Sequence, residues 1–119
     1  MFALAGGDKN PLHLDPEYAA TRRPFREIIA HGELLAAIIT ALGAELLGYE
    51  NIHSHIKTET TFVRPLKPGD LVFALMRVDK ILKERGRSGD IRFFVTLKNQ
   101  KFENVAEGTR ELIILKRPR

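Results

Sequence analysis

Between Gly32 and Leu47 the apolar residues Leu34, Leu35, Ile38, Ile39, Leu42, Leu46 and Leu47 recur at three- and four-residue spacing, the period of one helical face. Ala36, Ala37, Ala41 and Ala44 fill most of the remaining positions, so this helix is apolar around most of its circumference and is expected to be buried. Gly48 supplies its stop. No second long helix follows. From His55 onward the texture changes to alternation with β-branched residues, giving candidate strands at about 55–63, 71–82, 90–99 and 105–115. A buried helix against long antiparallel strands is an α+β layer arrangement.

The punctuation between these elements adds detail. Leu66-Lys67-Pro68-Gly69-Asp70 reads as a turn between the first two strands, the segment 84–90 as a hairpin loop, and Asn99-Gln100-Lys101 as a tighter one. Together they imply an antiparallel meander. The opening to Leu14, with its glycines and Asn10-Pro11, reads as a loop or short irregular segment. Asp15-Pro16 then looks like an N-cap with proline at the first helical position, starting a short helix through Ala20 that pins the preceding loop. At 119 residues and 44% apolar, with no repeat or low-complexity tract, the chain is expected to form a single domain over 1–119.

Composition excludes several classes. Without cysteine there is no disulfide framework, no thiolate nucleophile and no cysteine zinc site, which suits a reducing compartment and leads us to expect a cytoplasmic protein. No window approaches the ~20 apolar residues of a membrane span, and the start has no basic leader, so no membrane partner is expected. Nineteen Lys and Arg against fifteen Asp and Glu leave a net charge of +4, a mild preference for anionic partners. These cations are spread over Arg22, Arg23, Arg64, Lys67, Arg85, Arg87, Lys98, Lys101 and the tail 116–119, without interleaved aromatics, so nucleic acid is not an expected partner.

The densest run of chemically capable groups is Gly7-Asp8-Lys9-Asn10-Pro11-Leu12-His13-Leu14-Asp15. With Tyr18-Ala19, His31-Gly32 opening the apolar helix, and Phe62-x-x-Pro65-Leu66-x-x-Gly69-Asp70, it resembles the MaoC-like family of (R)-specific enoyl-CoA hydratases in matching order over nearly the whole chain. The resemblance implies a hot-dog fold, a long helix wrapped by an antiparallel sheet. It also implies a place in fatty acid metabolism, as a hydratase or dehydratase that adds water syn to a 2-enoyl-CoA or removes it. Family members usually begin with a strand and a short helix before the motif, so that strand is expected to be missing from this chain.

Such a reaction must activate water for attack at C3, protonate C2 and stabilise charge on the thioester oxygen. By the resemblance, Asp8 and His13 hold the water and handle its protons. Asn10 matches the family's asparagine and either orients the water or stiffens the loop. Gly32 would offer its backbone N–H at the N-terminus of the central helix, where an unpaired donor and the helix dipole both favour an oxyanion. Pro11 would lock the loop. A coenzyme A thioester is then the substrate, with no metal and no redox cofactor, and Arg64, Lys67, Arg85 and Arg87 are candidates for its phosphates. The family also implies a homodimer or higher homo-oligomer.

Other readings of the same residues are weaker. Asp15 suits a helix cap better than catalysis, Tyr18 packing better than the pocket, and His31, beside the oxyanion position, packing or capping rather than chemistry. His53-x-His55 would share a strand face as a metal pair, yet no third ligand stands at zinc spacing, and surface histidines fit better. The Leu and Ile stripe of the helix is core before it is an acyl tunnel. A hot-dog thioesterase would bind the same coenzyme but hydrolyse the thioester, against which the Asp8 and His13 pairing argues. A non-catalytic acyl-CoA-binding module of the kind found in repressors would need a DNA-reading helix pair, which the chain does not show.

Overall fold

The computed structural model describes residues 1–116, so of the basic tail only Lys116 lies within the described residues. A five-residue helix α1 (Phe2–Gly6), a 3-10 turn (Pro11–His13) and helix α2 (Pro16–Ala20) precede the central helix α3 (Gly32–Leu47). A second 3-10 turn (Tyr49–Asn51) leads into strands β1 (Ile52–Phe62), β2 (Val72–Arg85), β3 (Ser88–Asn99) and β4 (Asn104–Leu115).

All pairings are antiparallel, and the sheet order is β1-β4-β3-β2. The expected meander therefore holds only for β2, β3 and β4. β1 lies at the far edge beside β4, because the chain after Phe62 crosses the sheet instead of turning back on itself. The N–H groups of Val63 and Arg64 both donate to the carbonyl of Val105, and Leu66 is buried on the way across. The two hairpins also reverse their expected sizes. β2 and β3 run on until only Gly86 and Arg87 connect them, whereas four residues, 100–103, separate β3 from β4.

The core forms where α3 lies on the sheet. Leu35 and Ile39 of the helix meet Val95 and Leu97 of β3, Val105 and Ala106 of β4, and Leu66 of the crossover. Phe93, Val95 and Leu97 are buried at alternate positions, as one face of a strand requires. α3 is less enclosed than its composition suggests. Only Leu35, Ile39 and Gly43 are buried, and Leu46 is 64% exposed. A single sheet covers one side of a helix, so within one chain the remaining apolar stripe stays open.

Two residues hold β1 in its place. Gly108 faces Thr60 of β1 on one side and Val95 of β3 on the other, and a Cβ built there collides with the carbonyl of Glu59. Arg110, from β4, is buried with its five N–H donors all used. They reach Thr40 Oγ1 and the Ala36 carbonyl on α3, Thr60 Oγ1 and the Glu59 carbonyl on β1, and the Thr109 carbonyl, at 2.9–3.1 Å. Burial pushes its guanidinium below the usual arginine value.

Candidate active site

The residues before α3 are more ordered than the expected irregular loop. α1 ends at Gly7, which takes φ 81°, a conformation open to glycine at little cost, and its N–H closes on the Ala3 carbonyl. The chain then turns through two side-chain caps. Asp8 Oδ1 accepts from the N–H of Asn10 at 3.1 Å, and Asn10 Oδ1 accepts from the N–H of Leu12 at 3.0 Å. Pro11 sits at the first position of the 3-10 turn that ends on His13. Asp15 caps α2 by accepting from the N–H groups of Glu17 and Tyr18, as its position before Pro16 predicts. Tyr18 packs under the guanidinium of Arg22, 4.6 Å from its ring centre.

This scaffold presents Asp8 and His13 on neighbouring turns. His13 Nδ1 lies 2.8 Å from the carbonyl of Ile29. A carbonyl only accepts, so Nδ1 carries the proton and Nε2 is the nitrogen left with a lone pair in the neutral ring. His31, the N-cap residue of α3, is 7% exposed, and its Nε2 donates to the backbone carbonyl of Asp8 at 2.8 Å. The rings of His13 and His31 stack with centroids 3.9 Å apart and planes 27° apart. The ring of Phe2 lies across His31 at 5.0 Å and 60°.

Gly32 opens α3 directly after His31. The first helical hydrogen bonds, from Leu34 and Leu35 to the His31 carbonyl, leave the Gly32 N–H without a partner inside the helix. A Cβ on Gly32 would stand 3.2 Å from the Phe62 ring, so a hydrogen at this position keeps the approach open. His13, Ile29, Gly32, Leu35, Phe62 and Arg64 line a mostly apolar cavity of about 270 Å³. His13 also lines a neighbouring cavity of about 320 Å³ with Phe2, His31, Leu34 and Lys67. Leu35 belongs to both the cavity wall and the core, so the helical stripe divides between the two uses.

Of the residues singled out in sequence, Asp8, His13 and Gly32 are brought to one end of α3. The Asn10 side chain is spent on capping the Pro11–His13 turn. His31, expected to pack or cap the loop, does both, stacking on His13 and donating to the Asp8 backbone carbonyl. A histidine immediately before the helix start is the signal that marks it. Arg64 lines the 270 Å³ cavity while donating to the Asn104 carbonyl, and Lys67 pairs with Glu27 at 2.6 Å. Arg85 is bound to Asp90 through two hydrogen bonds, and it and Arg87 line neither cavity. His53 and His55 are exposed on β1.

Among the described residues, Asp8, His13 and His31 form the one group spaced to hold a metal ion, with one ligand atom of each within 4.8 Å of the others. His13 Nδ1 and His31 Nε2 are each hydrogen-bonded to a backbone carbonyl, so each ring has one nitrogen left to offer.

A long helix against an antiparallel sheet defines a hot-dog protein, here with an Asp and a His held at the N-terminal end of the helix. The family model for the MaoC like domain matches residues 1–100, and the chain belongs to that family. It is 39% identical over 88 residues to a 3-hydroxybutyryl-CoA dehydratase of Methylorubrum extorquens, a match covering 73% of this chain and 54% of that protein. Over 85 residues it is 38% identical to an (R)-specific enoyl-CoA hydratase of Aeromonas caviae, covering 71% of this chain and 61% of that one. The chain thus spans little more than half the length of these curated relatives. The unliganded R-hydratase PhaJ1 of Pseudomonas aeruginosa superposes with a TM-score of 0.82 at 35% identity, over 98% of this chain and 71% of that one.

Proposed function

We propose that this chain hydrates 2-enoyl-CoA thioesters to (R)-3-hydroxyacyl-CoA and catalyses the reverse dehydration. The observation that carries the reading is that Asp8 and His13 each offer a polar side-chain atom within 4.8 Å of the other, while His13 shares a cavity wall with Gly32 at the start of α3. A water bridging the Asp8 carboxylate and His13 Nε2 gives up a proton to that pair as its oxygen bonds to C3. The C2=C3 π electrons move toward the thioester, whose oxygen takes the developing charge at the Gly32 N–H and the positive end of the helix dipole. The pair then gives that proton to C2 from the same side, which makes the addition syn and restores the pair. The Ile29 carbonyl holds the His13 tautomer throughout, the service a carboxylate gives histidine in serine hydrolases. The same steps in reverse remove water.

The acyl chain enters the apolar cavity beside Phe62 and Leu35, and Arg64 at its rim is the cation best placed for the coenzyme's phosphates. No redox cofactor and no metal takes part. Among the described residues no helix is long and apolar enough to cross a membrane, and we assign the chain to the cytoplasm, acting in fatty acid metabolism as a homodimer or larger homo-oligomer.

Purified protein with crotonyl-CoA tests the reading. Loss of the enone absorbance without release of free thiol is the expected result. Thiol release would replace the hydratase with a thioesterase, and tight binding without either change would make the chain an acyl-CoA-binding module.

A further inference from the structure

We infer that His31 is a positioning residue that sets both members of the acid–base pair at once. The inference rests on the proposed hydration for its kinetic consequence but on geometry for its origin. His31 is buried, with one face of its ring stacked on His13 at 3.9 Å and with the Phe2 ring tilted against it at 5.0 Å. Its Nε2–H bonds the Asp8 backbone carbonyl at 2.8 Å. The hydrogen bond acts on the backbone that carries the Asp8 carboxylate. The stack acts on the plane of the imidazole that carries the reactive Nε2.

These two restraints are needed because neither partner is well held otherwise. Asp8 is exposed, and its carboxylate is tied only within its own turn, to the N–H of Asn10. His13 has one hydrogen bond, at Nδ1, which sets the tautomer but holds the tilt of the ring plane loosely. The stack narrows that tilt. His31 is in turn anchored to the start of α3, so the loop and the Gly32 N–H are set relative to the same residue. Misplacing a reacting group by about 1 Å costs on the order of 10²-fold in rate, which gives the scale of the effect.

Two substitutions separate the restraints. His31→Gln keeps an N–H donor near the Nε2 position and removes the ring, whereas His31→Phe keeps the ring and removes the donor. Imidazole NMR of the full chain reads the first step regardless of activity. The His13 ring protons should carry a ring-current shift in wild type and in His31→Phe that His31→Gln abolishes. Crotonyl-CoA kinetics read the second, with kcat lowered about 10- to 100-fold in each folded variant and KM changed by less than about threefold. An inactive wild type would remove the hydratase reading and leave the NMR comparison to decide the positioning. Unchanged His13 ring shifts in His31→Gln, or folded variants with kcat within about twofold of an active wild type, would overturn the inference.

Discussion

At His13 a single hydrogen bond sets the tautomer, because Nδ1–H donates to the Ile29 carbonyl and Nε2 keeps the lone pair that the proposed hydration calls on. Gly32 is the residue where space decides. Its Cβ position lies 3.2 Å from Phe62, so Gly32→Ala should push the ring into the cavity while leaving the backbone N–H in place. Steady-state kinetics should show a raised KM for crotonyl-CoA with a smaller change in kcat, and a larger effect on longer acyl chains. Equal KM values across chain lengths would mean that the acyl group does not pass Phe62. At this scale the sequence revealed the candidates by their types and spacing, since Asp8, Asn10 and His13 belong to one short run. It did not reveal that Asn10 spends its side chain on a turn or that His31 lies between Asp8 and His13, because both facts depend on how the loop folds back on α3.

Among the elements, the contact of β1 with β4 and α3 is the one most open to attack. Gly108→Ala forces a methyl group against the Glu59 carbonyl, and we expect a loss of more than about 2 kcal/mol in chemical denaturation. Arg110→Met leaves the Ala36, Glu59 and Thr109 carbonyls and two threonine hydroxyls without their donor, at a cost of about 3 kcal/mol in the same measurement. Asp70 ties the crossover turn to the β3–β4 loop by accepting from Gln100 and from the Lys67 N–H, and these bonds hold its carboxyl below the usual 3.8. A depressed carboxylate stabilises the fold fully above its unfolded value and loses that contribution as pH falls through the folded one. Thermal melts should therefore show a smaller acid-side drop in Tm for Asp70→Asn than for wild type. Helix α3 and all four strands were legible because their periods are local. The place of β1 was not, because hairpin signals report neighbours in sequence, and its partner strand lies some fifty residues away, with Thr60 facing Gly108.

Across the whole molecule, the description of one chain leaves apolar surface uncovered. Leu46 on α3 and Leu75, Val78 and Ile81 on the edge strand β2 are all largely exposed, and β2 offers its outer backbone groups to another strand. We expect light scattering to give a multiple of the 13.5 kDa chain mass, and charged substitutions at Val78 and Ile81 to lower it. A monomer in solution would leave those residues without an account. The α+β class followed from the sequence because one apolar helix and alternating strands admit few other layers, whereas the open side of α3 appears only once a single sheet is seen to cover one side. The central claim concerns Asp8 and His13, and the most direct test is the hydration rate of crotonyl-CoA by folded Asp8→Asn and His13→Ala beside wild type. The account predicts an (R)-3-hydroxy product from wild type and a loss of at least about 10²-fold in kcat in each variant. Variants that keep their fold and hydrate at near wild-type rates would contradict it.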